Sequence, residues 1–540
     1  MYRHWTRIAA ALAHGVLVVL IVTSAGCGGG DEGGPSTPAN VTPAPATPGP
    51  PSSTLDLATT AADLMIFGSD ADDYLADRFS LAHGDFNNDG IDDLLVGAPK
   101  ADGPDNARSN AGEAYVILGF SDIRGTVDIA EGQQDFTVIG ANEGDNLGFV
   151  VTSGDVNGDG IDDILVGARF ASGPAADRNN VGKVYVILGS PDLSGTVDTA
   201  LDEQDFTVVG AEKDDYLGYA LAAGDVNGDD VDDIIVGAPG ADGPEDPDGK
   251  RVDAGKIYVV FGSPTLNGTV DIAQNQQDFT IIGAKASDFL ANFAASGDVN
   301  SDGIDDILVG TQFADGPDGQ RADTGVAYVI FGSPELKSTL DLATGEGFLT
   351  IWGADVSDWL GFVLTAADVN GDKVDDILVG ARNADGPGNS RNNCGEVYIL
   401  FGTEDLPSTV DIADGKQDVT LIGSAPNSLF GHSLASGDVN GDDIADVLMG
   451  GPVANSRQGA GQILVFLSSG QWPATVDAAL GQHNLTILGA EAEDELGFSL
   501  ASGDINGDGI DDMIGGALLA DGPDNARPDA GEVYVIFGAP

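Results

Sequence analysis

The sequence predicts an all-β chain folded as a seven-bladed β-propeller, and three observations predict it. An acidic motif, written "DVNGDGIDD" from Asp155, recurs with starts at Asp85, Asp155, Asp225, Asp298, Asp368, Asp438 and Asp504, in steps of 70, 70, 73, 70, 70 and 66 residues. A fixed period of this kind marks a repeat architecture. Each unit holds four strand-like runs, such as "LGFVVTS", "DDILVGA", "GKVYVILG" and "QDFTVVG" in the second unit, and four strands make one propeller blade. The last copy stops after its third run, "GEVYVIFGAP", while a lone fourth-strand run, "DLMIFGS" at 63 to 69, precedes the first. The N-terminal strand is therefore expected to complete the last blade and remove an edge that would invite aggregation.

Composition agrees with many tight turns between short strands. Glycine occupies 78 of 540 positions, about twice ordinary usage. The formal net charge is -65, from 22 basic and 87 acidic residues, and a surface of that sign repels phosphate, which excludes nucleic acid as a partner. Two cysteines, Cys27 and Cys394, are too few for a disulfide framework. Another device must hold the fold rigid.

The N-terminus reads as an export signal over residues 1 to 27, with Arg3 and Arg7, an apolar run from Ile8 to Val22 and the small residues "TSAGC". Its Ala25-Gly26-Cys27 ending resembles the lipobox of bacterial lipoproteins, which implies a lipid on Cys27. Ser24 stands where that motif usually has an aliphatic residue, so a plain cut after Ala25 or an uncleaved anchor remains open. Residues 28 to 53 are rich in Gly, Pro, Ser and Thr and read as a tether. Residues 54 to 540 are expected to form one domain, a monomeric ring.

The acidic motif has the spacing of a hard-cation loop. Carboxylates and an amide stand at positions 1, 3, 5 and 9, and position 7 offers a backbone carbonyl. The candidate ligands are Asp85, Asn87, Asp89, Ile91 and Asp93 in the first copy, and Asp155, Asn157, Asp159, Ile161 and Asp163 in the second. The third and fourth offer Asp225, Asn227, Asp229, Val231 and Asp233, then Asp298, Asn300, Asp302, Ile304 and Asp306. The fifth and sixth offer Asp368, Asn370, Asp372, Val374 and Asp376, then Asp438, Asn440, Asp442, Ile444 and Asp446. The seventh offers Asp504, Asn506, Asp508, Ile510 and Asp512.

Ca²⁺ takes six to eight oxygens, so up to seven structural ions are expected. Ala445 at position 8 of the sixth copy identifies position 9 as the ligand, since the second of the paired aspartates is the one kept there. This is not an EF-hand, because position 12 is an apolar residue such as Val166. Glycine at position 6 gives way to Asp230, Lys373 and Asp443, so the third, fifth and sixth loops are expected to be strained or weaker.

At these residues the repeat resembles the FG-GAP repeats of the integrin α-subunit propeller. The FG half is visible in "LGFVVTSGD", "LGYALAAGD" and "LGFSLASGD", and the GAP half in "VGAP" at 96 to 99 and 236 to 239. Other copies drift, as at Arg169, Gln312 and Gly451-Pro452. The presence of the loop in all seven copies looks like the bacterial members of the family. The resemblance implies a seven-bladed propeller with calcium on its lower face and partners on its upper face.

On that upper face the sequence offers two repeated features. Inter-blade loops pair an Asp with an aromatic, at Asp73-Tyr74, Asp215-Tyr216, Asp288-Phe289 and Asp358-Trp359. Tyr74, Tyr216, Phe289 and Trp359 are candidate contacts for a cationic side chain or a sugar ring, or they pack between blades while the Asp caps a turn. Each loop between the second and third strands also carries one arginine: Arg108, Arg178, Arg251, Arg321, Arg391, Arg457 and Arg527. Sevenfold sameness favours a structural ion pair with a neighbouring Asp. Cys394 reads as a small buried residue, and His83, His432 and His483 fall at non-equivalent positions.

The functional expectation is an exported, surface- or periplasm-facing binding or adhesion module, membrane-anchored by lipid, that holds an extracellular or envelope protein or glycan. A lyase-like polysaccharide-acting enzyme and a scaffold of an envelope complex are the alternatives. Catalysis calls for an asymmetric constellation, and no cofactor-binding or catalytic residue is assigned.

Overall fold

The computed structural model describes residues 52–540 apart from 176, 247–248, 318, 337, 345 and 455–456. The proposed signal and Cys27 lie outside the described residues. From Ser53 onward the chain is all-β, and the helical elements among the described residues are three-residue 3-10 turns. None is long and apolar enough to cross a membrane.

Seven antiparallel blades follow in chain order. In the second blade the innermost strand Leu147–Gly154 pairs with Asp163–Ala168, which pairs with Lys183–Ile187, which pairs with Phe206–Val209. The second strands, such as "DILVGA", are buried along their whole length, because both of their faces meet neighbouring blades. The apolar core is accordingly divided into seven clusters, one between each pair of adjacent blades. Leu95, Val116 and Phe136 of the first blade thus pack on Ile164, Val166 and Tyr185 of the second.

The blades have five strands where four were expected. The fifth is a short "T-V/L-D" segment lent by the next unit, which leaves its own blade after the third strand and runs parallel to the fourth strand of the blade before. Gly195–Asp198 of the second unit pairs with Phe136–Ile139 of the first in this way. The same segment recurs at Gly125–Asp128, Gly268–Asp271, Leu340–Asp341, Thr409–Asp411 and Thr475–Asp477. The N-terminus supplies the seventh copy, Ser53–Asp56, to the sixth blade. That strand begins just ahead of residue 54, the boundary read from the sequence.

Ring closure is as expected and doubled. Leu64–Phe67 pairs antiparallel with Glu532–Ile536 and completes the last blade, while Ser53–Asp56 closes the edge of the sixth.

The Asp ending each lent segment explains the seven arginines. Arg108 donates from both terminal nitrogens to Asp198, at 2.8 and 2.5 Å, and also to the Gly140 carbonyl at 2.7 Å. Arg178 clasps Asp271, Arg251 clasps Asp341, Arg321 clasps Asp411 and Arg391 clasps Asp477. Arg527 clasps Asp128, and Arg457 reaches the N-terminal Asp56. The ion-pair reading is correct. Each pair joins a blade to the segment its neighbour lends, and all but Arg457, which reaches Asp56 through Nη2 alone, do so in the bidentate geometry that suits guanidinium and carboxylate.

The paired glycines of the repeat also meet across blade boundaries. A Cβ on Gly97 would lie 2.0 Å from the Gly148 carbonyl oxygen, and Gly148 itself has φ near +83°. Backbone therefore packs directly on backbone where one "GAP" faces the next "FG".

Replacing Arg178 by Met leaves Asp271 largely buried without its partner and is expected to cost about 2 kcal/mol in urea unfolding. The same change at Arg124, whose pair with Asp63 is more exposed, is expected to cost under about 1 kcal/mol. Hydrogen bonding to Arg178 lowers the Asp271 pKa below the usual carboxylate range. Its contribution is therefore complete above about pH 4 and lost as pH falls toward the depressed folded value. The Arg178→Met chain should show a shallower loss of stability between pH 5 and pH 2, values taken to bracket the ordinary carboxylate range of about 4.

Candidate functional site

The acidic hairpins all join the first and second strands, so they share one rim, the lower face. At the root of each hairpin the position-9 carboxylate is fully buried. Asp93 accepts from the Phe86 N–H at 3.1 Å and from the Gly119 N–H at 2.8 Å. It thereby ties its own loop to the exit of the third strand. Asp163, Asp233, Asp306, Asp376, Asp446 and Asp512 repeat the pattern, receiving N–H groups from Gly189, Gly262, Gly332, Gly402, Ser468 and Gly538.

Position 1 caps the turn: Asp85 accepts from the N–H groups of Asp89 and Gly90 at 3.0 and 2.9 Å. Position 5 accepts from position 7, as Asp89 does from Ile91. The position-3 amide meets position 9, with Asn87 Nδ2 3.2 and 3.3 Å from the two Asp93 oxygens. The four side chains of the motif thus form one local network in each hairpin.

Electrostatics within the hairpin is unfavourable as it stands. Burial, followed by the charges of Asp89 and Asp85, pushes the Asp93 carboxyl up to about 7, against two stabilising backbone hydrogen bonds. Asp163, Asp233, Asp306, Asp376 and Asp512 are also pushed to about 7, and Asp446 to about 6. The carboxylates at positions 1, 5 and 9 and the position-7 carbonyl are hard oxygen donors, a chemistry that fits Ca²⁺. The loops are not drawn into a tight cage: among the described residues no group of three or more His, Cys, Asp or Glu side chains is arranged as one. Holding an ion requires Asn87 to present its amide oxygen in place of the nitrogen. At position 6, Asp230, Lys373 and Asp443 take φ of 64°, 73° and 62° where other copies use glycine, which is the strain expected there.

Position 8 has a separate role that the sequence reading missed. The Asp162 carboxylate accepts from the N–H of Asp85 in the preceding hairpin at 2.9 Å. Asp232, Asp305, Asp511 and Asp92 do the same for Asp155, Asp225, Asp438 and Asp504. A return bond runs from the position-8 N–H to the position-1 carbonyl, as from Asp232 to Asp155 at 3.1 Å. The lower rim is thus clipped from blade to blade. Ala445 keeps only the return bond, to Asp368.

On the upper face both halves of the turn-packing reading are visible. Asp73, Asp215 and Asp358 accept from the N–H three residues earlier, at Asp70, Glu212 and Asp355. Burial pushes all three, and Asp288, to about 7. Tyr216 packs edge-on to Phe170 of the preceding blade, and Phe313 contacts both Phe289 and Trp359. Tyr74, Tyr216, Phe289 and Trp359 are nevertheless only half-buried. Beside Asp73 lies a cavity of about 490 Å³ lined by Asp70, Asp102, Glu113 and Tyr115.

The remaining single residues are dispersed. Cys394 is a free thiol, fully buried and pushed up to about 12. His83 pairs with Asp92, His432 with Arg382, and His483 with Thr486.

Seven glycine-paired blades with an acidic hairpin in each define an integrin-α-like repeat propeller. The FG-GAP repeat model matches residues 79–117, 147–187, 217–260, 291–330, 360–400, 430–466 and 496–536, and the chain belongs to that family. Human phosphatidylinositol-glycan-specific phospholipase D is 29% identical over 69% of this chain and 43% of its own length. Integrin alpha-PS2 of Drosophila melanogaster is 29% identical over 45% of this chain and 16% of its own. Integrin alpha pat-2 of Caenorhabditis elegans is 30% identical over 45% and 18%. The chain therefore spans less than half the length of these relatives. Among solved structures, BBS1N in complex with ARL6DN aligns with 87% of this chain and 97% of its own at 10% identity and a TM-score of 0.41.

Asp232→Ala is expected to cost about 1 kcal/mol in thermal unfolding measured in EDTA, the net worth of one hydrogen bond. Ala445→Asp restores the missing carboxylate and is expected to raise the midpoint under the same conditions.

Proposed function

We propose that the protein is an extracellular binding module whose lower rim holds calcium and whose upper face holds a protein or glycan. The observation that carries this reading is the sevenfold repetition of one hard-oxygen donor set on a single rim, which leaves the opposite loops free for a partner. The integrin relatives support an extracellular setting. The ligands are the residues at positions 1, 3, 5 and 9 with the position-7 carbonyl, from Asp85 to Asp93 in the first hairpin. Bound Ca²⁺ supplies positive charge that offsets the buried carboxylates, and the chain's own part is to fix each loop through the position-9 bonds.

The upper loops are long and stand on a rigid scaffold, the usual setting for recognition. Half-buried aromatics beside buried acids suit a sugar ring or a basic side chain. A lipid on Cys27 anchors the ring to a membrane in this reading, and Cys27→Ser is expected to move the protein to the soluble fraction. A hydrolytic reading has the phospholipase D relative in its favour, whereas His83 lies in the first blade and His432 and His483 lie beside the innermost and the fourth strand of the sixth, with unrelated partners.

If each site sits at about ten times its Kd, calcium adds about 1.4 kcal/mol per site, or on the order of 10 kcal/mol for seven independent sites. With about 2.1 cal/mol/K of unfolding entropy per residue, EDTA is therefore expected to lower the unfolding temperature by about ten degrees, and excess Ca²⁺ to restore it. The partner is tested by incubating the full chain with an array of polysaccharides and surface proteins, in Ca²⁺ or EDTA, and then assaying captured glycans for new chain ends. Calcium-dependent capture without cleavage is the expected result; new chain ends would make the protein an enzyme.

A further inference from the structure

Basic residues are scarce in this chain, and their distribution is uneven. From residue 52 onward every arginine but three ends on an aspartate: the seven clasps and the pair between Arg124 and Asp63. The exceptions are Arg78, Arg169 and Arg382, which form no ion pair among the described residues. In a chain with 87 acidic side chains, three arginines without carboxylate partners call for an explanation.

All three converge on the upper mouth of the central channel. Arg78 lies in a two-residue insertion ahead of the innermost strand of the first blade, and Arg169 and Arg382 stand where the "GAP" proline is lost. Arg78 reaches across the axis: its Cζ is 3.8 Å from the ring centre of Phe362 in the fifth blade, and its Nη2 is 3.5 Å from the Phe362 carbonyl oxygen. Arg382 stacks on the same ring at 4.0 Å, and Arg169 on Phe149 at 3.4 Å. Below them the channel opens into a cavity of about 410 Å³ lined by the innermost strands, with apolar side chains and hydroxyls such as Thr152 and Ser296.

The mouth also holds hydrogen-bond donors that are buried and unused. The Nε atoms of Arg78, Arg169 and Arg382 have no acceptor, nor does the Asn292 amide nitrogen. His432, only 5% exposed, receives the Arg382 Nη1 donor on Nδ1 at 2.8 Å. Its proton therefore sits on Nε2, which is buried and also without an acceptor. Burial, then the Arg382 and Arg78 charges, drives the His432 pKa well below the usual range. Burial also pulls Arg78 down to about 10, and burial with the Arg78 charge pulls Arg382 to about 9. The one nearby carboxylate is Asp77, which accepts from the Arg78 backbone N–H at 2.6 Å and whose charge acts on Arg78 and Arg169.

We propose that this mouth is a binding site for an oxyanion carried on a sugar ring, an acidic glycan residue. Guanidinium edges and the His432 and Asn292 donors supply what an oxyanion accepts. Tyr219, half-buried beside Phe149, is the aromatic side chain a sugar ring reaches, since the guanidinium groups themselves cover Phe149 and Phe362. A packing role alone gives no reason to keep three cations apart from the chain's abundant carboxylates, since an unpaired desolvated charge is costly. The long-range field of a chain at -65 repels polyanions, but it is screened within about 8 Å at physiological salt, so short acidic oligosaccharides are favoured over long polymers. The site deepens the glycan-binding reading above and rests on it.

The test is calorimetric titration of the full chain with trigalacturonate, a sulfated trisaccharide, neutral maltotriose, acetate and sulfate. Binding of either acidic trisaccharide is expected, the two arms showing whether carboxylate or sulfate ester is preferred. Arg382→Gln and Arg169→Gln should each weaken it at least tenfold, with Arg382→Lys in between. Because Arg382→Gln removes a cation that Arg78 repels, its unfolding midpoint without ligand should equal or exceed that of the parent, whereas a packing role predicts a lower one. Unchanged binding in both Gln variants, or a lowered midpoint with unchanged binding, overturns the proposal. Maltotriose, acetate or sulfate binding as tightly as the acidic sugars overturns it as well. If no acid binds while the array captures a protein or neutral glycan, this inference falls and the binding-module reading stands; if the array captures nothing, the underlying reading fails too.

Discussion

One wholly buried carboxylate at the root of each acidic hairpin sets the terms for the rest of the molecule. Asp93 and its six counterparts hold two separate stretches of backbone together, which no apolar side chain can do. Their burial beside the position-1 and position-5 carboxylates raises the free energy of the ionised form. In the calcium-binding reading proposed above, a divalent ion among these oxygens would turn that repulsion into a tie, on the rim where neighbouring hairpins are already joined by position-8 bonds.

No blade completes itself. Its core is shared with both neighbours, its outer strand is lent by the next unit, and its arginine closes on the lent aspartate. A single repeat would expose apolar faces and an open edge, so stability belongs to the closed ring. The N-terminal segment closes two blades at once, through Ser53–Asp56 and Leu64–Phe67. Charge is sorted along the same geometry: carboxylates crowd the lower rim, arginine and aspartate alternate around the outside, and unpaired arginines gather on the axis.

Much of this was legible in the sequence because repetition multiplies a weak signal. Seven copies of the acidic motif gave the blade count, and the orphan strand at 63 to 69 gave the closure. The fifth strand was missed because "T-V-D" is too short to register as a strand alone, although its recurrence before each "QDFT"-like run, and as "STLDLA" at both 53 and 338, was a usable sign. The position-8 aspartates were hidden by their position-9 neighbours, since local spacing does not tell which of two adjacent carboxylates faces the next blade. The axial arginines left only the loss of the "GAP" proline at Arg169 and Arg382 and two extra residues at Asp77-Arg78. Their convergence depends on the ring, which places residues from opposite blades side by side.

Counting the ions is the most direct test of the central claim. Native mass spectrometry of the full chain, exchanged into buffer with micromolar Ca²⁺, should show several calcium ions per folded molecule, up to seven, with the third, fifth and sixth hairpins emptying first when the calcium is lowered. A folded chain that carries no calcium at any concentration below the millimolar range would contradict the account and leave the acidic hairpins as hydrogen-bonded turns.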